Sequence, residues 1–162
     1  MPQRIPHQLT ENVKLLQKVA LVVDGKVLLL KRAANANSRP EKWDAPGGNS
    51  EWPETTESGF GQYAADAARE VLEETGILVE TAAFTPENLV LFDTYFDANK
   101  QLFSIICVWV VPLPEQPVVQ LSDEHTDSAW VTLAEVGDYD FDLFKGKFVK
   151  DAVELALKKV AR

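Results

Sequence analysis

The sequence has one cysteine and two histidines among 162 residues. A single thiol excludes an internal disulfide, which fits a reducing compartment. Cys107 stands between Ile106 and Val108 and reads as a small core residue. His7 and His125 are too far apart to form a pair with metal-ligand spacing. No apolar run reaches the roughly 20 residues that a membrane-crossing helix needs. The chain is also short of positive charge: Lys plus Arg is 16, Asp plus Glu is 25, and the net charge is −9. That deficit argues against a non-specific grip on nucleic-acid backbone or on an anionic membrane. It does not exclude a small phosphorylated substrate, because a metal ion supplies positive charge locally. No basic stretch followed by an apolar segment opens the chain, so no signal peptide is evident and a cytoplasmic location is expected.

What is present is an ordinary globular composition. With 46% hydrophobic residues, a chain of this length can build one real core, and residues 1–162 are expected to form a single domain. Residues 1–16 read as a lead-in or an irregular first strand. Runs at 18–23 and 26–31 are β-rich and flank Asp24-Gly25, a two-residue hairpin signal. Residues 33–42 and 49–61 read as loops, with the punctuation Pro46-Gly47-Gly48 between them. From 62 to 75 the pattern is helical: Ala64, Ala67, Ala68, Val71, Leu72 and Thr75 make the apolar arc, and Gly76 supplies the stop. Strands are expected at 77–84, 89–96, 102–112 and 129–132, and a short helix from 133. Residues 147–160 read as an amphipathic helix with Phe148, Val149, Ala152, Val153, Ala156, Leu157 and Val160 as its stripe. Several strands with two helices predict a sheet covered by helices.

The most informative run is 69–77, Arg-Glu-Val-Leu-Glu-Glu-Thr-Gly-Ile. On a helix at about 100° per residue, Glu73 lies at roughly −60° and Glu74 at roughly +40° from Glu70. Three carboxylates on one arc repel each other. A bound cation turns that repulsion into coordination, and a hard ion such as Mg²⁺ prefers such oxygen ligands. Arg69 can orient Glu70 by a charge-assisted hydrogen bond. Gly47 and Gly48 let the backbone approach an ion or a phosphate closely. From the glutamates alone, a solvated acidic face is the competing reading.

Taken with its surroundings, this stretch resembles the signature of the Nudix hydrolase superfamily, G-x5-E-x7-R-E-U-x-E-E-x-G-U, where U is bulky and aliphatic. The second half is complete in residues 69–77, including Gly76, and the first half is present as Gly48, five residues, and Glu54. The strand ending Leu30-Lys31-Arg32 and the stretch 122–130 extend the likeness. One departure stands out. Fourteen residues rather than seven separate Glu54 from Arg69, which points to a seven-residue insertion near 55–61. It moves Glu54 away from its usual spacing to the helix, and Glu51 and Glu57 are the alternatives for its role. Asp66 also falls inside the carboxylate arc.

The resemblance implies an α/β/α sandwich with a central mixed β-sheet. It implies metal-dependent hydrolysis of the pyrophosphate bond in a nucleoside di- or triphosphate derivative, with Mg²⁺ or Mn²⁺ as cofactor. Glu70 and Glu74 are then the main metal ligands, Glu73 assists, and the Gly47 carbonyl is a further ligand. In some members the general base comes from the signature helix and in others from a later loop. Here the stretch Ser122-Asp123-Glu124-His125 before Trp130 offers Glu124; His125 and Trp130 read as structural. Arg32 is a candidate for a substrate phosphate and Tyr95 for substrate recognition. Trp43, Trp52 and Phe60 could stack on a base, with packing as their default. The expected partner is a small nucleotide, without stable nucleic-acid or membrane binding, and the resemblance allows a homodimer. Two alternatives stay open: a non-catalytic nucleotide-sensing module on the same fold, and an isoprenoid diphosphate isomerase. The second needs a cysteine in an active-site loop, where Cys107 does not stand.

Overall fold

In β1 (Val13–Val23) and β2 (Lys26–Arg32), successive side chains point to opposite faces of one sheet. Val19, Leu21, Leu28 and Leu30 face one way, and Ala20, Val22, Val27 and Leu29 the other, all buried. Both faces must therefore be covered. This computed structural model describes residues 12–51 and 60–162, and shows how. Helix α1 (Phe60–Thr75) packs Ala64, Ala67 and Val71 on the first face. Helix α2 (Lys147–Val160) packs Val149, Val153, Ala156 and Leu157 on the second.

The sheet also contains β3 (Trp43–Asp44), β4 (Gly47–Ser50), β5 (Leu89–Asp97), β6 (Leu102–Pro112) and β7 (His125–Thr132). Its main order is β3-β2-β1-β6-β5, with β4 paired to β1 and β7 paired to β2. β1 runs parallel to β6 from Val13↔Phe103 to Val22↔Pro112, while β1–β2, β1–β4, β2–β7 and β5–β6 are antiparallel. The sheet is mixed and sandwiched between helices, as expected. Asp24 (φ 48°) and Gly25 (φ 73°) close the β1–β2 hairpin with the two positive φ angles that a tight primed turn requires. No helix among the described residues is long and apolar enough to cross a membrane.

Several expectations need correction. Residues 77–84 form no strand; they run extended into a 3-10 turn at Thr81–Ala83. The period-two pattern is real, since Ile77, Val79 and Phe84 are buried and Leu78 is 71% exposed. Alternation reports burial, however, and not the presence of a ladder partner. β1 starts at Val13 rather than 18 and β7 at His125 rather than 129, and the added stretches hold Gln17 and His125, polar yet buried. α1 starts at Phe60 rather than near 62. Leu72, assigned to its apolar arc, is 45% exposed, while Glu74 is 6% exposed. In place of a helix from 133 there is a 3-10 turn at Val136–Asp138. Residues 52–59, with Trp52, Glu54 and Glu57, lie outside the described residues.

Candidate active site

The site begins where α1 crosses β4. Gly47 pairs with Lys18 across the ladder, at φ +133°. A Cβ at Gly47 would lie 2.1 Å from the Gln17 carbonyl oxygen, so no side chain fits. A Cβ at Gly48 would lie 3.0 Å from the carboxyl carbon of Glu70. Gly48 thus lets the Glu70 carboxylate lie directly against the strand, while Gly47 lets β4 approach the backbone of β1. The Gly47 N–H donates to Glu74 Oε2 at 2.8 Å. Burial pushes the Glu74 carboxyl up to about 7; Asp44 and Glu70 add to the rise, and Lys18 and the Gly47 N–H oppose it.

Arg69 bridges the other two glutamates. It donates to Glu70 at 3.0 Å and to Glu73 at 2.8 Å. Glu70 is half-buried, whereas the Glu73 side chain is 57% exposed. Asp66 is buried. Gln62 donates to its Oδ1 at 3.0 Å, and its Oδ2 makes no hydrogen bond among the described residues.

Glu70, Glu74, Gly47 and Gly48 form one wall of a cleft of about 620 Å³. Arg32, Glu124 and Tyr95 also line it. Arg32 ends β2 and donates to the Ser38 carbonyl at 2.7 Å and to Asp44 at 3.1 Å. Glu124 is exposed just before β7; its carbonyl accepts from the Ala33 N–H at 2.9 Å, which ties its loop to the end of β2. Tyr95 is 55% exposed on β5. Two proposed base-stacking residues are not in the lining. Trp43 packs edge-on against Tyr139 and Phe60 against Trp109. Exposed Glu51 is not in the lining either.

Sequence reasoning missed a buried charged cluster beside this wall. Asp44 has no exposed side-chain surface and receives Lys18, Arg32 and Arg39. Burial alone would raise its carboxyl, but Lys18, Arg39 and Arg32 hold it down at about 2. The signal available was a lysine at the start of an apolar β-run and an aspartate between Trp43 and Ala45, and neither spacing pairs them locally. His125, next to the cluster electrostatically, is buried; burial first, then Lys18 and Arg32, press its imidazole down to about 4.

Does this set of donors suit a cation? Among the described residues no three carboxylate, histidine or cysteine groups converge closely enough to hold one by themselves. Arg69 engages both Glu70 and Glu73, but Glu73 is the exposed one and does not line the cleft. That leaves Glu70, Glu74 and the Gly47 carbonyl, which also accepts from Lys18 Nζ at 3.1 Å. Mg²⁺ typically takes one or two carboxylates and fills its sphere with water and substrate phosphate oxygens. A buried carboxyl held near neutrality is also a group that a cation would return to its ionised form. The residues fit such an ion as a shared site, completed by the substrate.

Known proteins supply an independent comparison. The model of the NUDIX domain matches residues 17–152. A MutT-like protein of Streptomyces ambofaciens is 32% identical over 117 residues, covering 71% of this chain and 60% of that protein, so the match leaves a good part of that relative unspanned. The nucleoside triphosphatase NudI of Escherichia coli O139:H28 is 27% identical over 130 residues, covering 78% of this chain and 87% of NudI. The crystal structure of a MutT protein from Methanosarcina mazei Go1 superposes with a TM-score of 0.67 at 23% identity, covering 96% of this chain and all of that one, which shows a shared fold. With the domain matched over most of its length, the chain belongs to the Nudix hydrolase family.

Proposed function

We propose that the cleft binds a nucleoside di- or triphosphate derivative and that the protein cleaves its pyrophosphate bond with Mg²⁺ or Mn²⁺ bound beside α1. One observation carries this reading: Glu70 and Glu74 are brought against Gly47 and Gly48 in the wall of a cleft large enough for a nucleotide. Glu70, Glu74 and the Gly47 carbonyl would hold the cation. When bound, such an ion stabilises charge that develops on phosphate oxygens. Arg69 keeps Glu70 oriented and Glu73 nearby. Glu124, exposed at the cleft, is the proposed base that takes a proton from the attacking water. Arg32 meets a phosphate, and Tyr95 offers its ring or hydroxyl to the rest of the substrate. The name of the E. coli relative, a nucleoside triphosphatase, favours triphosphates among the substrates.

The test is a substrate panel assayed with Mg²⁺ and with Mn²⁺. It covers nucleoside triphosphates, including oxidised ones, ADP-ribose, nucleotide sugars and dinucleoside polyphosphates. Turnover should be present in the wild type and nearly absent in Glu74→Gln. If no compound is hydrolysed faster by the wild type than by that variant, the reading fails. Tight nucleotide binding without turnover would mark the sensing alternative instead.

A further inference from the structure

The two ends of the sheet are finished differently. At one end β3 has two residues, and its Trp43 N–H donates to the Asp140 carbonyl at 2.8 Å. At the other end β5 runs for nine residues and pairs with β6, and no strand among the described residues covers its outer side. The middle of β5 is exposed from Phe92 to Tyr95, with Phe92 at 63% and Tyr95 at 55%. A long open edge with exposed aromatic side chains is a template for pairing with another strand. Edges that must stay single are shortened, covered or heavily charged, and β5 carries only Asp93 and Asp97.

Residues opposed across a ladder share a face, so the β5–β6 register divides the strand. Phe92, Thr94 and Phe96 lie on one face, where Phe96 packs on Phe103 with ring centres 4.6 Å apart. Leu91, Asp93, Tyr95 and Asp97 lie on the other, the face that α2 covers. Beside the start of β5, Leu89 and Val90 border a shallow groove with Leu155, Lys158, Lys159 and Arg162. Lys159 also acts electrostatically on Glu87, which leaves this end of the edge basic. The far end is acidic. Asp97 Oδ1 caps its own turn, accepting from the N–H groups of Asn99 and Lys100 at 3.0 and 3.1 Å, and the carboxylate pairs with no basic side chain among the described residues. A strand with opposite charge at its two ends is complementary to a reversed copy of itself.

We propose that the β5 edge is the interface of a homodimer, in which the edges of two copies pair antiparallel about a twofold axis at Thr94 and join the two sheets into one. Thr94 then stands opposite its own copy, and Phe92 meets Phe96 of the partner subunit. On the other face Asp93 meets Tyr95 of the partner subunit, and Leu91 meets Asp97 of the partner subunit, which lies next to the basic groove. The neighbouring registers fail on charge or on geometry. An axis at Asp93 opposes two copies of that aspartate, and an axis at Tyr95 opposes Asp93 with Asp97; like charges directly opposite destabilise a ladder. An axis at Phe92 carries the pairing across the irregularity between Leu89 and Leu91. One strand and one helix end make a small interface, so a dissociation constant on the order of 10 μM is expected. The dimer is independent of what the cleft hydrolyses.

Sedimentation equilibrium of the full chain, from about 1 to about 500 μM, tests the association. A monomer–dimer equilibrium is expected. Phe92→Lys, at an exposed position, should weaken it about tenfold or more, since it removes an aromatic pair from each half of the interface. Lys158→Glu and Lys159→Glu together should weaken it about threefold or more, and Asp97→Asn, whose amide oxygen can still cap the turn, by less. Unchanged melting temperatures in dilute solution show that these variants act on association and not on folding. Thr94→Cys reads the register: its two thiols stand opposite and should link the copies under mild oxidation. Phe92→Cys, whose copies stand far apart in that register, should link no faster than the wild type with its Cys107. A monomer at every concentration overturns the proposal, whatever other molecule occupies the edge. A dimer that Phe92→Lys leaves intact lies elsewhere on the surface and overturns it as well. Faster linking by Phe92→Cys than by Thr94→Cys overturns the register.

Discussion

Helices α1 and α2 cover opposite faces of one sheet and have 16 and 14 residues. Both are amphipathic, yet they bury different chemistry. The buried positions of α2 are Val149, Ala152, Val153, Ala156 and Leu157, and its charges pair at i,i+4 on the outside, Lys147 with Asp151 and Lys150 with Glu154. Among the buried positions of α1 are Asp66 and Glu74. A helix built only to cover a sheet has no use for a carboxylate there, because burial penalises the ionised form. The departure from the α2 pattern therefore marks the helix that carries function, and marks Glu74 within it. Glycine is the other half of the difference. α2 meets a sheet face of ordinary side chains, while α1 sets Glu70 against Gly48, where no side chain intervenes, and Glu74 accepts from the Gly47 N–H.

Breaking this contrast at Glu74 should have the largest effect. Glu74→Gln is expected to lower kcat by about a thousandfold, as for loss of a catalytic or metal-binding carboxylate. Its melting temperature should be equal or higher, since a neutral isostere replaces a buried acid. A steep fall in stability with little change in kcat would reverse the assignment of the two helices. Leu157→Ala in α2 should do the opposite, costing about 2–5 kcal/mol of stability by denaturant titration through cavity formation. The kcat of its folded fraction should match the wild type.

The pH dependence sharpens the contrast further. Glu74 has its carboxyl raised from 4.5 to about 7 in the folded protein. The native state then binds more protons than the unfolded state across that window, so this carboxyl makes stability fall as pH rises from 4.5 to 7. The contribution is on the order of 3 kcal/mol at most. His125, pressed from 6.5 down to about 4, acts in the opposite sense, since there the unfolded state binds more protons. The clean measurement is the difference in stability between wild type and Glu74→Gln, in the absence of divalent cation, at pH 5 and at pH 7. The variant should gain relative to wild type at the higher pH, and a flat difference would remove the buried-acid account. Glu73→Gln, altering an exposed glutamate paired with Arg69, should lower kcat by about tenfold or less, the scale of one hydrogen bond. Smallest of all, Lys150→Ala should shift stability by less than about 0.5 kcal/mol and leave kcat unchanged.

Much of the site was legible because it is local. The run 69–77 needs only helical geometry to place three glutamates on one arc, and α2 was readable to its ends from its apolar stripe. What went unread depends on contacts distant in sequence. Residues 77–84 alternate like a strand because one side packs on the α1 core, and no strand among the described residues pairs with them. The wheel placed Leu72 inward and Glu74 outward; in the structure Glu74 is covered where it accepts from the Gly47 N–H of β4, and Leu72 is exposed. Lys18 and Asp44 were invisible as a pair, because 26 residues separate them and each looks like an ordinary polar residue beside a strand.

The sequence by itself determined the family, the two helices, the hairpin at Asp24-Gly25 and the identity of the carboxylates. The family follows from the resemblance of Gly48, Glu54 and residues 69–77 to its signature, and the rest from periodicity or from spacing within a few turns of chain. Only the tertiary structure decided that Glu74 is covered and near neutrality while Glu73 stays in water. Only it gathered Lys18, Arg32 and Arg39 on one carboxylate. Both are consequences of desolvation and charge meeting across the sheet, and those quantities exist only once distant segments are packed together.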